Sequence, residues 1–498
     1  MGKNPPGKFT RTLPILSTRP PGQAAPKCFI IRAAPLTEPN LIPVTTLARK
    51  LRATDYFTLG WGTMVGVGWL VIMDDWLLRG GALGTVLGFV IGGAVLLPVG
   101  WAYGKLVSAM PDAAGEIAYT SAAFSRPISY ATGWMMTLVY FIVCPWEAVA
   151  VGRIAGYIFP RLDSLELYRI AGRPVYLPHL IIGLALTALL TVLNYRGVRL
   201  SATFQNWTSF GTLALFLVFV AAGASRGSPA NFPPLFTHTP LISILLVIQI
   251  VPYFMMGFES VGKAAEEASP DFGNAGFFRA IWMAIVVGIV FYVSIVAAVA
   301  FIAPWRGLTG EKFMTAVAFQ RAVGARWIVN IILAAALLSL FKCFNGNFVA
   351  ASRLLFALGR RGMITSRAGT IHPWHQTPSV AVLGMGLGTA ACVLLGDAIL
   401  VPVTEVGSVA CAIGWSATCV ACLALGRGAL PAGQPGVITL STAERLVAGF
   451  GLLVGVAMAL MKMVPLVPGH FTMYEWLALG VWIVLGGICY RGGTAAHT

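Results

Sequence analysis

Between Tyr56 and Tyr490 the sequence repeats one pattern about twelve times: an apolar run of roughly 20 residues, enough for a helix to cross a hydrocarbon core of ~30 Å. The runs fall near 56–76, 82–109, 128–158, 176–194, 205–223, 241–267, 280–304, 327–357, 379–396, 400–424, 443–463 and 471–489. In hydrocarbon every backbone N–H and C=O must be satisfied within the protein, so spans of this length read as helices. Only 10% of the 498 residues are charged, against roughly 25% in a soluble domain. The fold class is therefore an all-α membrane protein. Residues 1–52 read as a basic, disordered cytoplasmic N-terminus without a signal peptide, 53–490 as the transmembrane domain, and 491–498 as a short tail.

The net charge of +16 is distributed as a membrane protein requires. Nine Lys or Arg precede Asp55, and a cytoplasmic N-terminus places 22 basic residues inside, 11 outside and Lys342 within the membrane. Nucleic-acid binding would need those charges on one soluble face, so it is excluded. A multi-pass protein of the cell membrane, in contact with lipid, is expected. The eight cysteines are scattered through apolar runs and form no disulfide framework; Cys419 and Cys422 lack the second pair a metal site needs. No metal or cofactor is expected. The six histidines lie in loops or at span ends, so no catalytic constellation forms and the chain does not read as an enzyme.

Two spans carry helix breakers at mid-length: Gly62 and Gly66-Val67-Gly68 in the first, Pro252 and Gly257 in the sixth. They lie five spans apart, as in an inverted repeat opened each time by a broken helix that lines a binding site. Glycines also serve close helix packing, and the glycines alone do not separate the two readings.

Five further strings carry a resemblance. Met64-Val65-Gly66-Val67-Gly68-Trp69 resembles the broken first helix of the amino acid–polyamine–organocation (APC) superfamily. Tyr253-Phe254-Met255-Met256-Gly257-Phe258-Glu259, followed by Glu266-Glu267, resembles its broken sixth helix. Residues 111–119, Ser352 to Leu358 and Thr377-Pro378 are similar to its motifs after helices 2 and 8 and before helix 9. The resemblance implies a leucine-transporter-like fold: inverted repeats at about 55–223 and 241–424, with two added helices at about 443–489. It implies secondary transport of an amino acid or amine by alternating access, with a site formed by Val65, Gly66, Val67, Gly68, Trp69, Tyr253, Phe254, Met256 and Gly257. Backbone N–H groups of the first break would face a carboxylate, and carbonyls of the sixth an ammonium. The usual Gly-Ser-Gly is Gly66-Val67-Gly68 here, and Glu116 and Lys105 depart from the pattern around the second loop. The bulky lining leans towards neutral or apolar amino acids, with polyamines or other amines as the alternative and a channel or sensor as a further one.

Charges held at membrane depth are functional candidates, and Glu147, Glu259, Lys342 and Glu405 qualify for coupling or gating. Glu259 matches a position linked in the superfamily to gating or protonation. Lys342 either replaces a coupling cation, giving proton-coupled, sodium-independent symport or exchange, or pairs inertly with Glu147 or Glu405.

Overall fold

The computed structural model describes residues 47–311, 313–426 and 438–491. The basic extension up to residue 46 and the tail after Arg491 lie outside the described residues. The described chain is helical, with one exception. The first span is divided into α1 (Ala53–Met64) and α2 (Gly68–Val71), joined through extended backbone at Val65. Next come α3 (Met73–Ala94), kinked at Gly81, then α4 (Leu97–Ala109), α5 (Glu116–Ala123) and α6 (Arg126–Ile158). A two-stranded antiparallel hairpin, β1 (Glu166–Ile170) and β2 (Arg173–Tyr176), follows. This is the exception to the all-α expectation. It sits in the loop after α6, where the two strands satisfy part of their exposed backbone by pairing with each other.

Helices α7 (Leu177–Arg196) and α8 (Val198–Arg226) lead to a second interrupted segment: α9 (Pro240–Ile248), α10 (Val251–Met255) and α11 (Ser260–Lys263). The remainder is α12 (Ala275–Ile302), α13 (Met314–Val323), α14 (Arg326–Arg360), α15 (Ser379–Val393), α16 (Leu400–Leu425), α17 (Thr442–Met463) and α18 (Met473–Cys489). Among the described residues eight helical stretches are long and apolar enough to cross a membrane, and Ser379–Val393 and Met473–Cys489 are shorter apolar helices. The two interrupted segments fall outside that class because each is divided into pieces.

The long helix α6 lies at the centre, packed against α5, α7, α14 and α16. Glycine and small residues line these crossings, as expected where no hydrophobic drive separates helix from lipid and close approach must hold helices together. Residues at the end of the N-terminal extension are held as well: the N–H groups of Lys50 and Leu51 both donate to the Glu267 carbonyl at 2.9 Å.

Candidate functional site

The two interruptions meet. Gly257 has φ +123°, a conformation open to glycine, and a Cβ there would stand 2.5 Å from the Met64 N atom. Both the conformation and the approach of one backbone to another require glycine here. The sixth-span break thus lies directly on the end of α1.

At the first break the unwound carbonyls find partners one after another. Thr63 O accepts from Asn347 Nδ2 at 3.0 Å and from the Cys343 thiol at 3.2 Å; Met64 O accepts from the Tyr292 hydroxyl at 3.2 Å. Val65 O accepts from the Ser339 hydroxyl at 3.1 Å and from the Lys342 ammonium, and Gly66 O from Ser339 at 2.7 Å. Four of these donors lie on α14, at positions 339, 342, 343 and 347, which helical spacing places on one face. Lys342 is fully buried, with its ammonium 4.5 Å from the centre of the Trp61 ring. It pairs with neither Glu147 nor Glu405: its partners are a carbonyl and a ring face.

Glu147 reaches the same break from α6. Its Oε1 accepts the Val67 N–H at 3.4 Å, and its Oε2 has no partner among the described residues. A Cβ on Gly66 would collide with Oε1, so Gly66 leaves the carboxylate its place. The sixth break is different. Gly257 N donates to Glu259 Oε2 at 2.9 Å, while the carbonyls of Tyr253, Phe254, Met255 and Met256 accept nothing among the described residues. Between the breaks is a cavity of about 20 Å³ lined by Gly66, Gly68, Glu147, Tyr253, Phe254 and Met256, among others. That volume holds about one water molecule.

The remaining expected site residues are placed as follows. Val65 and Val67 contribute backbone, as described. Trp69 does not line the cavity: its ring packs edge-on against Phe219 of α8, 5.9 Å between centres, because the short α2 turns its side chain away from the sixth break. Glu405 lies apart from the breaks, bound to Arg79 at 3.2 Å and to the buried Lys462 of α17, with Arg79 also held by Asp75 at 2.8 Å. Glu259 is fully buried at the sixth break, its Oε1 without a partner.

Two buried ion pairs escaped the sequence reading. Lys263 pairs with Glu116, which also accepts from the Tyr103 hydroxyl at 2.6 Å; Arg353 pairs with Glu267 at 2.8 Å. More exposed pairs join Arg360 to Glu266 and Arg361 to Asp112, at 2.5 and 2.7 Å. These charges stand near span ends, where sequence position alone reads as wet. Motif strings included Asp112, Glu116, Glu266, Glu267 and Arg353, but nothing in them pointed to who pairs with whom.

A family model described as amino acid permease matches residues 53–488, spanning both breaks and every helix above. The chain belongs to the amino acid permease family. This permease is 26% identical over 372 residues to the branched-chain amino acid permease of Bacillus subtilis, covering 72% of this chain and 76% of that one. It is 26% identical over 344 residues to the methylthioribose transporter of the same organism, covering 67% and 72%. It is 28% identical over 333 residues to the gamma-aminobutyric acid permease of Escherichia coli, covering 62% and 65%. With its apolar helices, the family makes the chain a multi-pass membrane protein of the amino acid transport class.

Proposed function

We propose that this permease is a secondary active transporter that carries neutral, largely apolar amino acids by alternating access. The observation carrying this reading is the meeting of two interrupted helices around a small buried cavity, with four unoccupied carbonyls on one side and an apolar lining on the other. Free carbonyls suit an ammonium, and Tyr253, Phe254, Met256 and Trp146 suit an apolar side chain. The relatives include permeases for branched-chain amino acids and gamma-aminobutyric acid.

In this reading the chain crosses the cell membrane twelve times, with the N-terminus cytoplasmic, as two inverted five-helix repeats and two added helices. The pairs Lys263–Glu116, Arg353–Glu267 and Arg360–Glu266 close the cytoplasmic side, and Asp75–Arg79–Glu405–Lys462 the outer side. Both must part in turn for substrate to pass. Coupling is to protons, as symport or exchange, and not to sodium, because the Lys342 ammonium already sits against the unwound carbonyl a coupling cation would use. One observation favours a second reading, transport of amines without a carboxylate: Glu147 already places a carboxylate in the cavity.

Uptake of radiolabelled neutral amino acids, basic amino acids and amines into proteoliposomes, under imposed proton or sodium gradients, tests both. Proton-driven, sodium-indifferent uptake of a neutral amino acid is expected. Sodium-driven uptake would remove the role given to Lys342.

A further inference from the structure

We infer that the Glu147 carboxylate occupies the seat of the substrate carboxylate, and that an amino acid enters only when Glu147 takes up the coupling proton and withdraws. This rests on the amino acid reading and names the group that carries the proton. Three observations meet at this residue. Its Oε1 is bonded to the Val67 N–H, the donor in the first break offered to a carboxylate. The Glu147 side chain, 2% exposed, lines the cavity, and its Oε2 has no partner among the described residues. And the remaining space, about 20 Å³, admits a water but not an amino acid while the carboxyl stays.

The surroundings leave Glu147 as the group that must respond. Lys342 and Cys343 face it from α14, Tyr253 from α10, Tyr292 from α12, and Cys144 stands one turn back on α6. Lys342 is committed to Val65 O, Cys343 to Thr63 O and Tyr292 to Met64 O. From the other helices packed on α6, Glu405 is bound by Arg79 and Lys462, Glu116 by Lys263, and His179 by Asp163. Among the described residues around this site, no cation stands free to neutralise a second carboxylate. Two carboxylates sharing one small buried site hold a proton between them, since both cannot be ionised at contact distance.

The step balances as one proton and one zwitterion. A proton from the outer solution binds Glu147 Oε2, the neutral side chain gives up the Val67 N–H, and the substrate carboxylate accepts that bond while its ammonium meets the Tyr253–Met256 carbonyls. On the cytoplasmic side the amino acid leaves, the proton is released, and the Glu147 carboxylate returns. Loaded and empty states are then both competent to cross, and the substrate carries its proton with it.

The test uses L-leucine and isoamylamine, the same side chain without the carboxylate, on the full-length purified permease, comparing wild type with Glu147→Gln and Glu147→Asp. Wild type should take up about one proton per leucine bound, measured calorimetrically in buffers of different ionisation enthalpy, with affinity weakening as pH rises, by up to about tenfold per pH unit wherever the empty protein holds Glu147 ionised. Glu147→Gln should bind leucine with no proton uptake and no pH dependence. It should lose proton-driven accumulation but keep leucine–leucine exchange; Glu147→Asp should restore the proton count. Leucine binding to wild type without a proton, or unaltered proton uptake in Glu147→Gln, overturns the inference and moves coupling to Glu259. Isoamylamine bound by wild type and lost in Glu147→Gln also overturns it, since Glu147 would then pair with the ammonium. If the folded wild type binds neither probe nor any neutral amino acid, the amino acid reading itself falls. Should Glu147→Gln fail to fold, the wild-type proton count decides alone.

Discussion

The two helix interruptions are made of the same material, unwound backbone at mid-span, but are finished in opposite ways. At the first, donors from α14 and α12 take up the exposed carbonyls and the Glu147 carboxylate of α6 accepts from the Val67 N–H, so that the protein itself fills the cradle. At the sixth, one side chain, Glu259, satisfies one N–H, and four consecutive carbonyls are left over. An unpaired buried carbonyl is unfavourable by about 1–3 kcal/mol, so leaving several together is tolerable only where something else binds them for part of the cycle. The difference teaches that the first half is mostly scaffold, with the place held by the Glu147 carboxylate as its one point open to exchange, and the sixth half is receptor.

The contact between the halves should be the most sensitive point. Gly257→Ala imposes left-handed strain and a backbone clash on Met64, together about 3 kcal/mol or more. Loss of uptake and a markedly lower unfolding temperature in detergent are expected; normal uptake would separate the breaks mechanically. Next comes the scaffold's charge. Lys342→Met leaves Val65 O without its cation, a charged hydrogen bond worth about 1.5–3 kcal/mol, so uptake rates should fall about 10- to 100-fold. Proteoliposome uptake that survives unchanged would make Lys342 inert. Ser339→Ala removes a hydroxyl shared by Val65 and Gly66 carbonyls and should lower stability by about 1 kcal/mol in denaturation assays, with little change in substrate preference. The receptor side should behave inversely. The Tyr253 hydroxyl has no protein partner, so Tyr253→Phe should shift stability by less than about 0.5 kcal/mol. A weakened leucine affinity in that variant would mark the hydroxyl as a substrate contact; an altered unfolding temperature instead would make it scaffold.

The breaks were legible because hydrocarbon penalises loose backbone so heavily that Gly and Pro at mid-span carry information, and Gly66, Gly68, Pro252 and Gly257 all fall where helices part. What fills a break was less legible. Lys342 stood out as a lone cation in an apolar run, but its partner is a carbonyl, which has no sequence signature. Trp69 follows Gly68 in the motif yet faces α8, because a four-residue helix sets its direction and spacing does not. Glu405 read as a charge at depth, but Arg79 and Lys462 reach it from segments far apart in the chain. Lys263 and Glu116 were hidden for the complementary reason: each sits near a span end and is buried where the ends of α5 and α11 meet through this ion pair.

The partners of Glu405 have a consequence in the order of synthesis. Arg79 leaves the ribosome first, Glu405 long after it, and Lys462 only with the eleventh apolar segment. A carboxylate on the tenth segment therefore awaits its second cation until α17 has been made. Helix α17, which touches neither break, supplies the last charge of the set, so a nascent chain stopped before it holds Glu405 with Arg79 alone. Helix α17 acts in this sense as a fastening, set in place after both breaks have been made.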